Sequence, residues 1–194
     1  MKIDQIVVGF VRETERSGAN GTMAEGSVTL IDDGKEKILV DVGSPDNWTE
    51  IEDGLRKRGL AVGDIDTVVI THGHLDHCAN LGRFGNARIY MDNDVRSPDR
   101  VYSSTEKEIS LTARISIRKF RGHTDNDLAV IVRDEEMGTV VVAGDLFEHE
   151  NDENDWRANS RYPDDHQRSR DEILEMTEIV VPGHGAMFRV KKSK

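Results

Sequence analysis

Short apolar runs that alternate or are rich in β-branched residues recur along the chain and predict strands. Two runs, at 67–70 and 139–142, are β-branched throughout and indicate packed sheet rather than disorder. The pair Asp33-Gly34 lies between two such runs and predicts a hairpin. The predicted strands cover residues 5–12, 27–32, 37–42, 64–71, several short segments between 87 and 120, 127–132, 139–143 and 178–181.

Helices are predicted at three places, residues 49–58, 76–81 and 164–176. Thr49 is a candidate N-cap and Gly59 a C-terminal stop for the first of them. The polar segments 13–26 and 151–155 are predicted as loops, the second an acidic, solvated one. Both halves of the chain repeat the order strands, polar turn, helix. We therefore expect one α/β domain over residues 1–194, an αβ/βα sandwich of two mixed β-sheets flanked by helices.

Composition narrows the choice of partners. Asp and Glu number 37 against 26 Lys and Arg, a formal net charge of −11. This charge argues against a large nucleic-acid footprint but not against a small one. Cys78, the single cysteine, cannot form an intramolecular disulfide, and neither a membrane-length apolar run nor a secretion signal is evident. We expect a protein of a reducing compartment, cytoplasmic or nuclear, without a membrane partner and with its oligomeric state open, a homodimer included.

The segment 71–77, Thr-His-Gly-His-Leu-Asp-His, carries the strongest chemical signal. It follows a predicted buried strand, which fixes the backbone on one side of the turn. His72 and His74 alternate about a glycine and point the same way, while Asp76 and His77 face back from the next helix. Imidazole nitrogen and carboxylate oxygen are zinc-type ligands. Four such groups in a buried turn would be costly without a cation, so the segment predicts a metal site.

Three later positions repeat one order, an apolar strand, a glycine and then one ligand-type side chain. They are His123, Asp145 and His184. A chance repeat of this kind is improbable, so we expect all three at the same site. The two other histidines outside this pattern, His149 and His166, lie in or near acidic segments and are interpreted as surface residues.

His-x-His-x-Asp-His at 72–77, followed by His123, Asp145 and His184, resembles the metallo-β-lactamase superfamily over almost the whole chain. Asp41, after a strand, matches the first motif of that superfamily. The segments 26–30, 138–148 and 180–185 are most similar to one group of zinc endoribonucleases, described as processing the 3′ end of replication-dependent histone pre-mRNA. Members of that group lack an added β-CASP domain, and we expect none here.

The resemblance implies two zinc ions, with iron or manganese also admitted by the mixed N and O donors. The superfamily pattern assigns His72, His74 and His123 to the first metal, Asp76, His77 and His184 to the second, and Asp145 to both. Asp76 would also be catalytic, orienting the attacking water or accepting its proton. Asp41 would hold the ligand turn by hydrogen bonds without touching a metal.

Several activities stay open. The resemblance implies cleavage of single-stranded RNA, but the same seven ligands serve thioester hydrolysis of the glyoxalase II kind. A persulfide dioxygenase with one iron is disfavoured by the full second site, and a non-catalytic binding protein by the intact ligand set. Either single-stranded RNA or a small thioester is thus the expected substrate. Basic side chains that could meet phosphates, or equally be a solvated strand face and chain end, are Arg118, Lys119, Arg121, Lys191, Lys192 and Lys194.

Overall fold

The computed structural model describes residues 1–16, 19–153 and 155–191, and within these ranges it has fifteen strands and four α-helices. The strands are β1 (Lys2–Val7), β2 (Phe10–Arg16), β3 (Ala19–Glu25), β4 (Val28–Asp32), β5 (Lys37–Val40), β6 (Thr67–Ile70), β7 (Arg88–Met91), β8 (Asp94–Arg96), β9 (Tyr102–Ser104), β10 (Glu108–Ser110), β11 (Ile115–Phe120), β12 (Asp127–Asp134), β13 (Gly138–Gly144), β14 (Ile179–Pro182) and β15 (Phe188–Arg189). The helices are α1 (Trp48–Arg56), α2 (Leu75–Cys78), α3 (Asp155–Ala158) and α4 (Pro163–Met176).

The strands form two large mixed sheets and a separate ribbon. The first sheet has the order β1-β4-β5-β6-β7-β8-β9, with β6 parallel to both of its neighbours. The second has the order β10-β11-β12-β13-β14-β15, with β13 and β14 parallel. The ribbon pairs β2 with β3. Each large sheet thus places the carboxyl ends of parallel strands at one edge, where loop side chains can meet.

Hydrophobic packing arranges these sheets in layers. Fully buried valines from both sheets, among them Val69 and Val130, form one core cluster between them. The outer face of the first sheet packs against α1 through Leu55, and that of the second against α4 through Ile173. The order helix, sheet, sheet, helix confirms the predicted αβ/βα sandwich. None of the helices in the described ranges is long and apolar enough to cross a membrane.

The loop predicted at 13–26 is wrong, because most of this segment forms the β2–β3 ribbon. Arg12 pairs with Met23 and Thr14 with Gly21 in a regular antiparallel register. Val11 and Met23 are both exposed. Among the ribbon residues whose burial is described, 10–14 and 21–25, none is buried, so this sequence lacks the alternation that identifies a half-buried strand. The strand predicted at 5–12 is in fact divided between β1 and β2.

The solvated loop predicted at 151–155 is wrong at Asp152, which is 2% exposed. Its carboxylate pairs with Arg170 of α4 through two contacts of 2.6 and 2.8 Å. This buried ion pair holds the segment that contains Asp152 against α4. Asn154 lies outside the described residues, and α3 begins at the next position.

Candidate metal centre

All seven predicted ligands lie together at one edge of the sandwich. The turn after β6 supplies four of them, and the segments after β11, β13 and β14 supply one each. The two sheets are joined here by a hydrogen bond from Leu128 N to Thr71 O at 2.7 Å. Strand ends from both halves of the fold therefore point into a common cleft.

Three imidazoles, which we call the first donor group, are His72, His74 and His123. The Nδ1 atom of His74 lies 3.0 Å from Nε2 of His72 and 3.0 Å from Nε2 of His123. His72 and His123 are buried, whereas His74 is exposed at the mouth of the cleft. Burial lowers the pKa of His72 and of His123, which favours the neutral imidazole that a metal requires.

The second donor group is Asp76, His77 and His184. Oδ2 of Asp76 lies 3.7 Å from Nε2 of His77 and 3.7 Å from Nε2 of His184. His77 is fully buried, and 21% of the Asp76 side chain is exposed. Burial alone would lower the pKa of both histidines, but Asp145 raises it, and Asp41 adds to this effect at His77.

Asp145 lies between the two groups. Its Oδ2 is 3.4 Å from Nε2 of His72 and 3.3 Å from Nε2 of His184, while its Oδ1 is 3.1 Å from Nε2 of His77. Burial would raise the pKa of this carboxyl, but His77 and His72 hold it well below its usual range. An ionised carboxylate in contact with both groups fits the predicted shared ligand.

The tautomers show that the donor set suits a cation. Nδ1 of His184 faces the carbonyl oxygen of Glu25 at 3.0 Å, and Nδ1 of His77 faces the carboxylate of Asp41 at 2.8 Å. Those oxygens only accept, so each Nδ1 carries a proton, and Nε2 is the nitrogen that each ring can offer to a cation on losing its other proton. Nε2 of His77 and Oδ1 of Asp145 are buried and have no hydrogen-bond partner within the part of the chain that the structure describes. The residues thus fit a metal.

Asp41 contacts the ligand turn through three hydrogen bonds. One carboxylate oxygen accepts from Thr71 N at 2.7 Å, and the other from Thr71 Oγ1 and His77 Nδ1, both at 2.8 Å. Its backbone has φ 61°, a left-handed conformation that is uncommon for residues other than glycine. Such strain persists only where surrounding contacts fix it, as these three hydrogen bonds do.

Two of the glycines that precede ligands allow close packing at the centre. A Cβ at Gly183 would overlap Oδ1 of Asp145, and one at Gly122 would come within 2.6 Å of the His166 backbone. Gly183 therefore lets the segment carrying His184 approach the shared carboxylate, and Gly122 lets the segment carrying His123 approach α4.

The interpretation of His166 as a surface residue is wrong, since its exposure is 0%. Its Nε2 donates to Leu146 O at 3.1 Å, and its ring packs 4.5 Å from that of Trp156. Burial lowers the pKa of His166 to about 4. It belongs to none of the described donor clusters. His149 is partly exposed beside Asp155, in line with a surface position.

Burial of His166 could have been found from helical spacing. The buried residues of α4 are His166, Ser169, Arg170 and Ile173. Their separations of three, four and seven positions define one helix face, although three of the four are polar. A search for apolar residues alone overlooks such a face.

Sequence reasoning also missed Glu148, a 4% exposed carboxylate three residues after Asp145. Burial and Asp145 raise the pKa of Glu148 to about 7. Ligand atoms of Asp145, Glu148 and His184 lie within 4.8 Å of one another. The signal was the intervening pair Leu146-Phe147, which is buried under α4 and so directs both flanking carboxylates towards the cleft.

Three of the four basic side chains singled out in the sequence that the structure describes lie near carboxylates. Arg118 contacts Glu108 and Glu172, and Arg121 lies near Asp125 and Asp165. The guanidinium of Arg121 also stacks on the ring of Tyr162 at 3.7 Å. Lys119 has no carboxylate in these contacts, and its Nζ donates to Oδ1 of Asn93. Lys191 lies 4.0 Å from Glu150. Lys192 and Lys194 lie outside the described residues.

Comparison with known proteins gives the same family. The sequence model of the metallo-beta-lactamase superfamily matches residues 21–92. Metallo-beta-lactamase domain-containing protein 1 of Rattus norvegicus is 38% identical over 189 residues, which cover 94% of this chain and 74% of the rat protein. The human protein of that name is also 38% identical, over 92% of this chain and 67% of its own length.

Among solved structures, a Thermotoga maritima protein assigned to the metallo-β-lactamases has a TM-score of 0.74 at 17% identity, covering 97% of this chain and 98% of its own. AidC, a dizinc quorum-quenching lactonase, has a TM-score of 0.67 at 15% identity, covering 92% and 83%. These likenesses establish the fold. Together with the curated relatives they place the chain in a known family: it belongs to the metallo-β-lactamase superfamily of metal-dependent hydrolases.

Proposed function

We propose that this chain is a binuclear zinc hydrolase that cleaves single-stranded RNA endonucleolytically. The observation that carries the metal centre is the position of Asp145 between two sets of converging ring nitrogens, 3.1–3.4 Å from His72, His77 and His184. The RNA substrate is supported by resemblance to the endoribonuclease group, to which the metallo-beta-lactamase domain-containing protein 1 sequences belong.

The proposed ligands divide between the two donor groups. His72, His74 and His123 would hold one zinc ion, Asp76, His77 and His184 the other, with Asp145 shared. When bound, two divalent cations supply Lewis acidity, lower the pKa of a coordinated water and stabilise the charge on a phosphoryl oxygen. Asp41 keeps the His77 ring oriented with Nε2 towards the cleft through its contact with Nδ1.

Asp76 is the residue to which we assign proton transfer. Its partial exposure at the cleft mouth makes it accessible to water, unlike the buried Asp145. Its Oδ2 faces the Nε2 atoms of His77 and His184 equally. From this position the carboxylate can orient the attacking water and accept its proton while ligating the second metal.

The flank of the cleft offers contacts for a nucleic acid. Arg121 and Arg161 both lie over the ring of Tyr162, and Arg161 N donates to His123 O at 3.3 Å. Both guanidinium groups are exposed. Guanidinium groups bind phosphates, and an aromatic ring can stack on an unpaired base.

Thioester hydrolysis is the second candidate, favoured by the charge distribution. Arg121 and Arg161 both lie close to Asp125, so little unpaired positive charge faces the cleft. The net charge of −11 points the same way. A small substrate held mainly at the metals would need no basic channel.

One experiment separates these candidates. Zinc-loaded protein and a His74→Ala control are incubated with single-stranded RNA and, separately, with S-lactoylglutathione. We expect RNA cleavage by the wild type alone. Cleavage that persists in His74→Ala would indicate a contaminant, and rapid thioester turnover with intact RNA would assign the function to the second candidate. Elemental analysis should find two zinc ions per chain, whereas one iron without zinc would indicate the dioxygenase.

A further inference from the structure

Besides Asp76 and Asp145, a third carboxylate, that of the buried Glu148, lies beside the second donor group. Oε2 of Glu148 is 3.9 Å from Nε2 of His184, and ligand atoms of Glu148, His184 and Asp145 lie within 4.8 Å of one another. Nδ1 of His184 faces the carbonyl oxygen of Glu25, so Nε2 is directed into the cleft between the two carboxylates. Ligand atoms from three different side chains therefore converge.

The position of Glu148 is fixed by contacts outside the cleft. Its backbone N–H donates to Asp152 Oδ2 at 2.8 Å, and its carbonyl accepts from His184 N at 2.9 Å. The buried Asp152 is in turn paired with Arg170. On the side chain, Oε1 accepts from Asn159 Nδ2 at 3.0 Å, which leaves Oε2 directed at His184.

Burying this carboxylate next to that of Asp145 is costly unless a positive charge lies between them. Among the described residues, Oδ1 of Asp145 has no hydrogen-bond partner although it is buried. A divalent cation held by Asp145, Glu148 and His184 would offset the repulsion between the carboxylates and could bind this oxygen.

We propose that Glu148 is a further carboxylate ligand of the second donor group and raises the affinity of that group for Mn²⁺ more than its affinity for Zn²⁺. This inference rests on the proposed metal centre. With Glu148 the second group offers two imidazoles and the carboxylates of Asp76, Asp145 and Glu148, whereas the first group offers three imidazoles and Asp145. Oxygen-rich sites suit Mn²⁺, and imidazole-rich sites suit zinc.

The test counts bound Mn²⁺ and does not depend on turnover. Metal-free protein is loaded with one equivalent of Zn²⁺ and titrated with Mn²⁺, and free Mn²⁺ is followed by electron paramagnetic resonance. A second titration uses Zn²⁺ alone. We expect Glu148→Gln to weaken Mn²⁺ binding at least about tenfold while changing the second Zn²⁺ equivalent less. Glu150→Gln, an exposed carboxylate in the same loop, should match the wild type.

A purely structural role for Glu148 would weaken both metals alike, so equal losses overturn the proposal, as does Mn²⁺ binding by Glu148→Gln that equals wild type. Circular dichroism checks folding. If Glu148→Gln does not fold, Asn159→Ala provides the test, because it removes only the hydrogen bond to Oε1; a selective loss of Mn²⁺ is again expected and its absence again overturns the proposal. Fewer than two cations of any kind in the wild type would instead contradict the binuclear centre.

Discussion

The two donor groups share Asp145 but are built differently. In the first group, His72, His74 and His123 meet through ring-nitrogen distances of 3.0 Å, and His74 is exposed. In the second, the outer nitrogens of His77 and His184 are tied to Asp41 and to Glu25 O. The first group is thus a set of nitrogens with one exposed member, His74, and the second is a set richer in oxygen whose two buried histidines are held by oriented hydrogen bonds. That difference predicts unequal responses to mutation.

The largest effect is expected at the residue that the groups share. Asp145→Ala should release both metals and lower turnover more than about 100-fold, beyond the loss typical of a residue that only supports a ligand. Elemental analysis and activity of the purified variant check this, with Asp145→Asn as a variant of the same shape. Retention of both metals with full turnover would show that Asp145 is not shared.

Asp41→Ala should affect the two groups unequally. Its carboxylate holds the His77 ring, so we expect metal affinity of the second group to fall about 10- to 100-fold, while the first group changes less. Competition with a chelator, read separately for the first and second equivalents, measures the two affinities. Equal losses at both equivalents would mean that Asp41 holds the whole turn through Thr71 rather than His77 alone.

How far the sequence predicts this centre depends on how its residues are spread along the chain. Four ligands lie within residues 72–77 and could be recognised from that segment alone. His123, Asp145 and His184 required a repeated order of strand, glycine and ligand. Glu148 and His166 were missed because tertiary packing fixes their positions. Leu146-Phe147 packs under α4 and so positions Glu148, whereas His166 lies on a buried helix face that is largely polar.

The fold was predictable where strands are half-buried or buried, and not where they are exposed. Apolar runs identified both large sheets and the layer order, since burial leaves a period of two or a continuous β-branched run. The sequence of the β2–β3 ribbon does not show either pattern, because its exposed apolar residues, such as Val11 and Met23, are interspersed with polar ones. The polar pair Asp152–Arg170 was missed for a related reason, as charge alone does not reveal burial by a partner.

The buried ring of His166 lies 6.5 Å from that of His123, and its effect should appear in stability rather than in metal count. The folded-state pKa of about 4 lies below the unfolded value of about 6.5, so between these pH values the unfolded chain binds more protons. The resulting stability is fully present above pH 6.5 and is lost as pH falls towards 4, amounting to about 3 kcal/mol.

Urea unfolding of metal-free protein at pH 7 and pH 5 tests this expectation. Glu148, whose pKa is raised to about 7, has the opposite effect in this pH range, so the wild type is compared with His166→Gln. On going from pH 7 to pH 5, the free energy of unfolding of the wild type should fall relative to that of His166→Gln. His149→Gln, which changes a partly exposed histidine, should behave like the wild type. Both variants should keep two metals per chain, and loss of one equivalent in either would show that the donor groups are wrongly assigned.

The smallest effect is expected at the basic flank beside the first group. If only Arg121 and Arg161 meet phosphates of a single-stranded RNA, the logarithm of affinity should fall with the logarithm of salt concentration at a slope of about −1.4, since each contact contributes about −0.7. Fluorescence anisotropy with a labelled, cleavage-resistant RNA measures that slope. Arg121→Ala/Arg161→Ala should bring this slope close to zero and weaken binding a few-fold at low salt, with S-lactoylglutathione turnover unaffected.

Arg114→Ala removes a guanidinium paired with Glu135 at the far end of the second sheet and should leave the slope unchanged. A steep slope that survives the double substitution would place the RNA on another surface, whereas weak binding with no salt dependence would favour a small substrate held by the two donor groups alone.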